Sequence, residues 1–197
     1  MSVLLSVSDL TAERGQRTLF KGLSFSVSGG EVLHVIGPNG SGKTTLIRIL
    51  AGLVNSGFSG EVVRDFPLLY IGHQAALKGQ LTVLENLLLD LSGWPVPSSM
   101  LLRDALSALE LDRFRNCLVS TLSVGQRRRV SLARIFFTKH LIWLLDEPFT
   151  SLDRRTITTI ERCVLDHIRR GGAVVVSSHH EFNLPDVKIV TINLEAS

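Results

Sequence analysis

The feature that most constrains this chain is a glycine-rich turn, Gly37-Pro38-Asn39-Gly40-Ser41-Gly42-Lys43-Thr44, set between a compact apolar run at residues 32–36 and a helix-like stretch. It fits G-x-x-x-x-G-K-[ST] at every fixed position. From Lys43 onward Leu46, Ile47, Ile49, Leu50 and Leu53 recur at helical spacing, so a buried strand turns through glycines into an amphipathic helix. Glycines let the backbone turn tightly enough for consecutive N–H groups to point inward as an anion nest, and the helix adds its positive end. In such a nest Lys43 sets a point charge against the β- and γ-phosphates of a nucleotide, and Thr44 offers a hydroxyl to Mg2+. Thr45, next in the first helical turn, is counted with the phosphate-binding residues. The ligands this loop asks for are ATP and Mg2+.

Five apolar residues, Leu141-Ile-Trp-Leu-Leu, run directly into Asp146 and Glu147. A buried strand of this kind delivers both acids to the carboxyl edge of an open α/β sheet, where ligands bind. By itself the pattern would also suit a strand followed by a solvated acidic turn. Beside a phosphate loop, Asp146 is the expected holder of Mg2+, directly or through water, and Glu147 the residue that polarises the attacking water.

The rest of the chain divides by pattern. Residues 3–7 read as a short strand, and Leu23, Phe25 and Val27 alternate with serines as in a half-buried antiparallel strand. Residues 61–63, 68–71 and 173–177 are further strand candidates. Residues 80–138 change character. Thr82-Val-Leu-Glu85 is a capping box that opens a helix to about Leu91, Gly93-Trp-Pro-Val-Pro is a breaker, Ser98 caps a helix to about Glu110, and a third helix follows Ser123. Ile157, Ile160, Val164 and Ile168 mark one face of a helix that starts at Asp153 and stops at Arg169-Arg170-Gly171-Gly172, with cations at its negative end and glycines beyond. The alternation implies an α/β fold: a mostly parallel sheet with helices on both faces, an antiparallel N-terminal β subdomain and an inserted α-helical lobe. A single domain over residues 1–197 is expected, its core at about 1–79 and 139–197 and its lobe at about 80–138.

Leu122-Ser123-Val124-Gly125-Gln126 stands twenty residues before the acid pair. A serine hydroxyl at a helix N-terminus makes a second phosphate-binding device. With the loop and the acids, the segment resembles the LSGGQ signature of the ATP-binding-cassette (ABC) ATPase family, Val124 replacing the first glycine. The resemblance covers essentially the whole chain and implies a P-loop NTPase core. One γ-phosphate cannot easily use both devices from one subunit, and the family's answer is a second ATPase subunit in a head-to-tail dimer. Ser123, Gly125 and Gln126 would then contact the partner's nucleotide. The same resemblance implies that Gln74 senses the γ-phosphate, shares in Mg2+ binding and joins the two lobes. It also implies that Ser151-Leu152-Asp153 lies across the dimer interface and that His179 contacts the γ-phosphate. His180, His34 and His140 read as bystanders. Many family members set an aromatic residue against adenine; counting back from Lys21-Gly22, that place falls at Arg14. Its guanidinium can stack on a purine or stand in a solvated turn.

Arg17-Thr-Leu-Phe-Lys-Gly-Leu-Ser-Phe25, Ile71-Gly-His-Gln74, Leu81-Thr-Val-Leu-Glu-Asn-Leu87, Gln126-Arg-Arg-Arg-Val130 and Leu145-Asp-Glu-Pro-Phe-Thr150 resemble the branch of the family that serves bacterial c-type cytochrome maturation. This implies a peripheral ATPase on the cytoplasmic face of the inner membrane. It would work with integral membrane subunits to release a haem-loaded periplasmic chaperone. On the motifs alone, a soluble ABC ATPase of another pathway, such as iron–sulfur cluster assembly, or the ATPase of a different ABC transporter stays open. No apolar run approaches the ~18–20 residues needed to span a bilayer, and the start reads as no signal peptide. The net charge of +3 is too weak to argue for nucleic acid, and none is expected as a partner. Arg127, Arg128 and Arg129 fan around a helical turn rather than forming a patch, and read as a solvated or subunit-contacting helix start. Cys117, Cys163 and the histidines lack ligand spacing. Neither zinc nor direct haem binding is therefore expected, and a reducing compartment is the default.

Overall fold

The computed structural model describes residues 2–89, 97–180, 182 and 184–194. The expected helix end at Leu91 and residues 93–96 of the breaker lie outside them. The chain divides into two compact units: Met1–His73 with His140–Pro148 and Val164–Ser197, and Gln74–Lys139 with Phe149–Cys163.

In the first unit, β1 (Val3–Arg14), β2 (Arg17–Ser28) and β4 (Phe58–Arg64) form an antiparallel sheet in the order β2-β1-β4. The strands β3 (Glu31–Ile36), β5 (Leu68–Ile71), β6 (Ile142–Asp146), β7 (Ala173–Ser177) and β8 (Lys188–Asn193) form a parallel sheet in the order β5-β6-β7-β3-β8. Every residue of β6 and β7 is buried. A strand covered on both faces has no reason to alternate, which is why both read as unbroken apolar runs. β2 and β4 begin before the residues that announced them, at Arg17 and Phe58, and two further strands differ from expectation. β1 runs on past residue 7 to Arg14, because Asp9 takes a left-handed turn (φ 48°) and shifts the register without ending the pairing. β8 has no apolar run to announce it: at the sheet edge it buries little, so its residues are free to be polar.

The helix α1 (Lys43–Leu50) turns Leu46, Ile47, Ile49 and Leu50 into one cluster with Leu33, Val35, Leu144 and Val175. Each such side chain contributes about 1.5–3 kcal/mol when fully buried. The helix stops before Leu53, which is 52% exposed, as Gly52 takes φ 72°.

The second unit holds α2 (Val83–Leu88), α3 (Ser99–Ala108), α4 (Val124–Leu132) and residues 154–163 of α5 (Arg154–Arg169). Both parts of the expected capping box are made at α2. The Thr82 N–H donates to Glu85 Oε2 (2.7 Å) and the Glu85 N–H to Thr82 Oγ1 (3.2 Å). The bond from the Thr82 backbone, with one from its hydroxyl, holds the Glu85 carboxyl below its ordinary range. α5 ends at Arg169, and beyond it Gly171, with φ 85°, lets its N–H reach Ile168 O while the Gly172 N–H reaches His167 O, both at 3.0 Å. Among the described residues, no helix is long and apolar enough to cross a membrane.

Candidate active site

β3 ends at Ile36 and the chain enters the glycine loop. Gly42, the N-cap of α1, has φ 100°. A Cβ there would also stand 3.0 Å from Leu19 Cβ and 3.1 Å from Phe20 Cδ1, so β2 backs the loop where only glycine fits. At Gly37 an added Cβ would run into Leu194 O and stand 2.6 Å from Ser41 Oγ. The loop is thus closed behind and open in front, where Pro38, Asn39, Gly40 and Thr44 are exposed. Ser41 is buried, and its Oγ has no partner among the described residues. Lys43 Nζ folds back across the loop and donates to Gly37 O (2.8 Å) and Pro38 O (3.2 Å). Thr45 is half-buried in the first turn of α1.

The acids arrive through strand pairing. β6 lies beside β7 with Asp146 opposite Ser177. Ser177 Oγ donates to Asp146 Oδ1 at 2.6 Å, and Thr44 Oγ1 donates to the same oxygen at 3.1 Å. Asp146 itself is fully buried, where a carboxylate needs such partners. Glu147 turns out of line with φ 48°, its N–H donating to Ser177 O at 3.0 Å. Its side chain is 19% exposed, and Oε1 stands 3.7 Å from Nε2 of His179, which is 61% exposed. The first unit therefore brings together the glycine loop, Thr44, Asp146, Glu147 and His179. Arg14 is exposed at the end of β1, opposite Arg17. Ser177 was not singled out from the sequence. Its only signal is its place as the last residue of a buried strand, and that matters only once β7 is known to pair with β6.

The residues present suit the ligands the loop asks for. The Thr44 hydroxyl and Asp146 carboxylate converge as a small, all-oxygen donor set, the kind that holds Mg2+. The unpartnered Ser41 hydroxyl and the glycine nest suit phosphate oxygens.

The remaining expected residues belong to the second unit. Gln74 is exposed on the bend after β5. Ser123 caps α4: its Oγ accepts the Gln126 N–H (3.2 Å) and Gln126 Oε1 accepts the Ser123 N–H (2.8 Å). A Cβ on Gly125 would stand 2.7 Å from Ser151 O, so the start of α4 packs backbone to backbone against the Ser151-Leu152-Asp153 turn. Asp153 accepts the Thr156 N–H (2.8 Å) at the head of α5. That bond, aided by the Arg129 guanidinium, holds its carboxyl below the usual range.

Of the two readings of the arginine run, the structure corrects the solvated one, since Arg128 is buried and Arg127 and Arg129 are half-buried. Arg127 Nη1 donates to Leu122 O at 2.6 Å. Arg129 donates to Leu109 O and Glu110 Oε2, each at 3.3 Å, and pairs with Asp153. Carbonyls and carboxylates within reach give the Arg127 and Arg129 guanidiniums acceptors on the protein itself.

Residues 20–150 match the ABC transporter family. The protein of Escherichia coli O157:H7 named cytochrome c biogenesis ATP-binding export protein CcmA is 39% identical over 203 residues, covering 97% of this chain and 96% of its own length. The Shewanella frigidimarina protein of the same name is 39% identical over 196 residues, covering 92% and 89%. A solved dimeric ATP-binding cassette in a post-hydrolysis state, bound to ADP and Pi, shares the fold with a TM-score of 0.80 at 25% identity. The match covers 98% of this chain and 97% of that one. The chain belongs to the ABC transporter family, on the branch of the cytochrome c biogenesis ATP-binding export proteins.

Proposed function

We propose that this chain is the ATP-hydrolysing subunit of a membrane complex that energises c-type cytochrome biogenesis, all 197 residues acting as a single ATPase domain. The observation that carries the reading is the meeting of Thr44 and Ser177 on Asp146 beside the glycine loop, in a chain 39% identical over nearly its whole length to relatives named for that process.

Lys43 and the loop of residues 37–45, through its backbone N–H groups at every position but Pro38, hold the β- and γ-phosphates, Lys43 exchanging its loop carbonyls for phosphate oxygens. Thr44, Asp146 and Gln74 would hold Mg2+, which neutralises phosphate charge when bound. Ser177 orients Asp146 by its hydrogen bond. Glu147, set apart by its left-handed turn, faces the water that attacks the γ-phosphorus and takes its proton. The new bond joins the water oxygen to phosphorus as the bond to the β–γ bridging oxygen breaks and ADP leaves. His179, beside Glu147, contacts the γ-phosphate, and the Arg14 guanidinium, exposed at the end of β1, stacks on adenine.

A second copy closes head to tail, so that Ser123, Gly125 and Gln126 cover the partner's nucleotide. An apolar side chain at the start of α4, Val124, is 64% exposed, which suits a surface that a partner covers. The chain sits peripherally on the cytoplasmic face of the bacterial inner membrane. Integral membrane subunits reach it through a cytoplasmic helix received around Gln74 and α2, whose Leu84 and Leu88 also line a groove of about 670 Å3 with Leu102, Leu106, Arg103 and Asp112. Leu87, by contrast, is core. Neither nucleic acid nor haem is a ligand of this chain.

Deleting the chain is expected to abolish c-type cytochromes and leave b-type cytochromes intact. The Lys43→Ala variant in its place should not restore them, and haem-loaded chaperone should accumulate. Its affinity for ATP should fall roughly tenfold to hundredfold, the worth of a charge-assisted hydrogen bond. Normal cytochrome c in the deletion strain would remove the pathway assignment, and unchanged ATP affinity in the variant would contradict the loop assignment.

A further inference from the structure

We infer that His34 is a positioning residue for the His179 segment, setting the plane of the peptide that leads into it; the inference rests on the role proposed for His179. β7 lies between β6 and β3, so the chain leaving it can be held from both sides. On the β6 side, the Glu147 N–H donates to Ser177 O. On the β3 side, the last pair of the ladder is Val35 with Ser177, which leaves Ser178 beyond the end of backbone pairing.

His34 takes over there. Its ladder partner is Val176, and residues two apart on a strand share a face, so its side chain and Ser178 share one side of the sheet. Nε2 of His34 lies 2.9 Å from Ser178 O. A carbonyl only accepts, so the ring carries its proton on Nε2. Both residues are buried, and the ring of Phe182 meets that of His34 edge-on at 5.5 Å. Ser178 Oγ accepts the His180 N–H at 2.8 Å. The residue before His179 is thus held at its carbonyl by His34 and at its hydroxyl by the residue after His179. Three positions before Gly37, His34 belongs to the strand that feeds the phosphate loop. One side chain therefore ties that strand to the segment carrying His179 toward Glu147.

Three full-length variants test this: His34→Gln, which keeps an N–H able to reach the carbonyl, His34→Leu, which does not, and His179→Ala. ATPase turnover is measured on the chain alone or assembled with its membrane subunits, nucleotide affinity by titration, and His180 amide exchange by NMR. The Leu variant should lose about tenfold in kcat with ATP affinity within about twofold, since a buried carbonyl is left without its donor. Its His180 amide should exchange faster, and the Gln variant should keep most of both properties. Ring-nitrogen NMR of the unaltered protein should show His34 as the Nε2–H tautomer, a readout that needs no variant to fold. A neutral Nδ1–H ring, equal losses in the Leu and Gln variants, or full turnover in the Leu variant would each overturn the inference. Full turnover in His179→Ala would instead remove the role of His179, a failure separate from that of His34.

Discussion

Glu147→Gln is expected to bind ATP with near-normal affinity and to turn over about 10²–10⁴-fold more slowly, the worth of general-base assistance. The substitution keeps size and shape, so the half-buried side chain, the left-handed turn and the N–H bond to Ser177 O should all survive. What disappears is the carboxylate oxygen proposed to accept a proton from the attacking water. Asp146 cannot take over, because it is fully buried and receives hydroxyl bonds from Thr44 and Ser177. His179, 3.7 Å from Glu147, would face an amide instead of a carboxylate. Single-turnover hydrolysis with nucleotide titration separates binding from chemistry. Turnover within about threefold of the unaltered protein, far from the loss above, would take Glu147 out of the role. With saturating Mg-ATP this variant should also accumulate as a dimer; a strict monomer by sedimentation would count against head-to-tail closure.

Gly125→Ala should be nearly as damaging by a different route. The added methyl would stand 2.7 Å from the carbonyl oxygen of Ser151. That atom is backbone, so the start of α4 or the Ser151-Leu152-Asp153 turn must move. Overpacking of this kind costs about 1–3 kcal/mol, and misplacing a catalytic contact by ~1 Å costs about 10²-fold in rate. The phosphate loop is untouched, so the variant should bind ATP normally while turnover falls about a hundredfold. The sharper measurement mixes Gly125→Ala with Lys43→Ala. If Gly125 acts on the partner's nucleotide, a mixed dimer has one site with both defects and one with neither. Turnover should then rise above that of either parent. A mixture no more active than its parents would place Gly125 in the service of its own subunit's site.

The local devices of this protein were legible in the sequence because each is written in contiguous residues. The strand–glycine–helix passage at residues 32–50 needs only short-range geometry: apolar runs, left-handed glycines and a lysine at the helix start. The buried strand ending in Asp146 and Glu147 reads the same way. So do the caps at Thr82, Ser98 and Ser123, whose bonds reach only three residues ahead. The pairing of distant segments was decided by tertiary structure alone. Ser177 matters because β7 lies in register beside β6, 31 residues away. His34 gains a hydrogen-bond partner because a carbonyl 144 residues on falls at the end of its ladder. The arginines after Gln126 turn inward because acceptors at positions 109, 110 and 153 surround one of them. β8 escaped notice because an edge strand needs no apolar pattern; its partner β3 supplies the hydrogen bonds that make it a strand. Helix caps and loop turns are settled by a few neighbouring dihedrals, whereas a buried carboxylate or carbonyl is settled by whatever donor the whole fold brings to it.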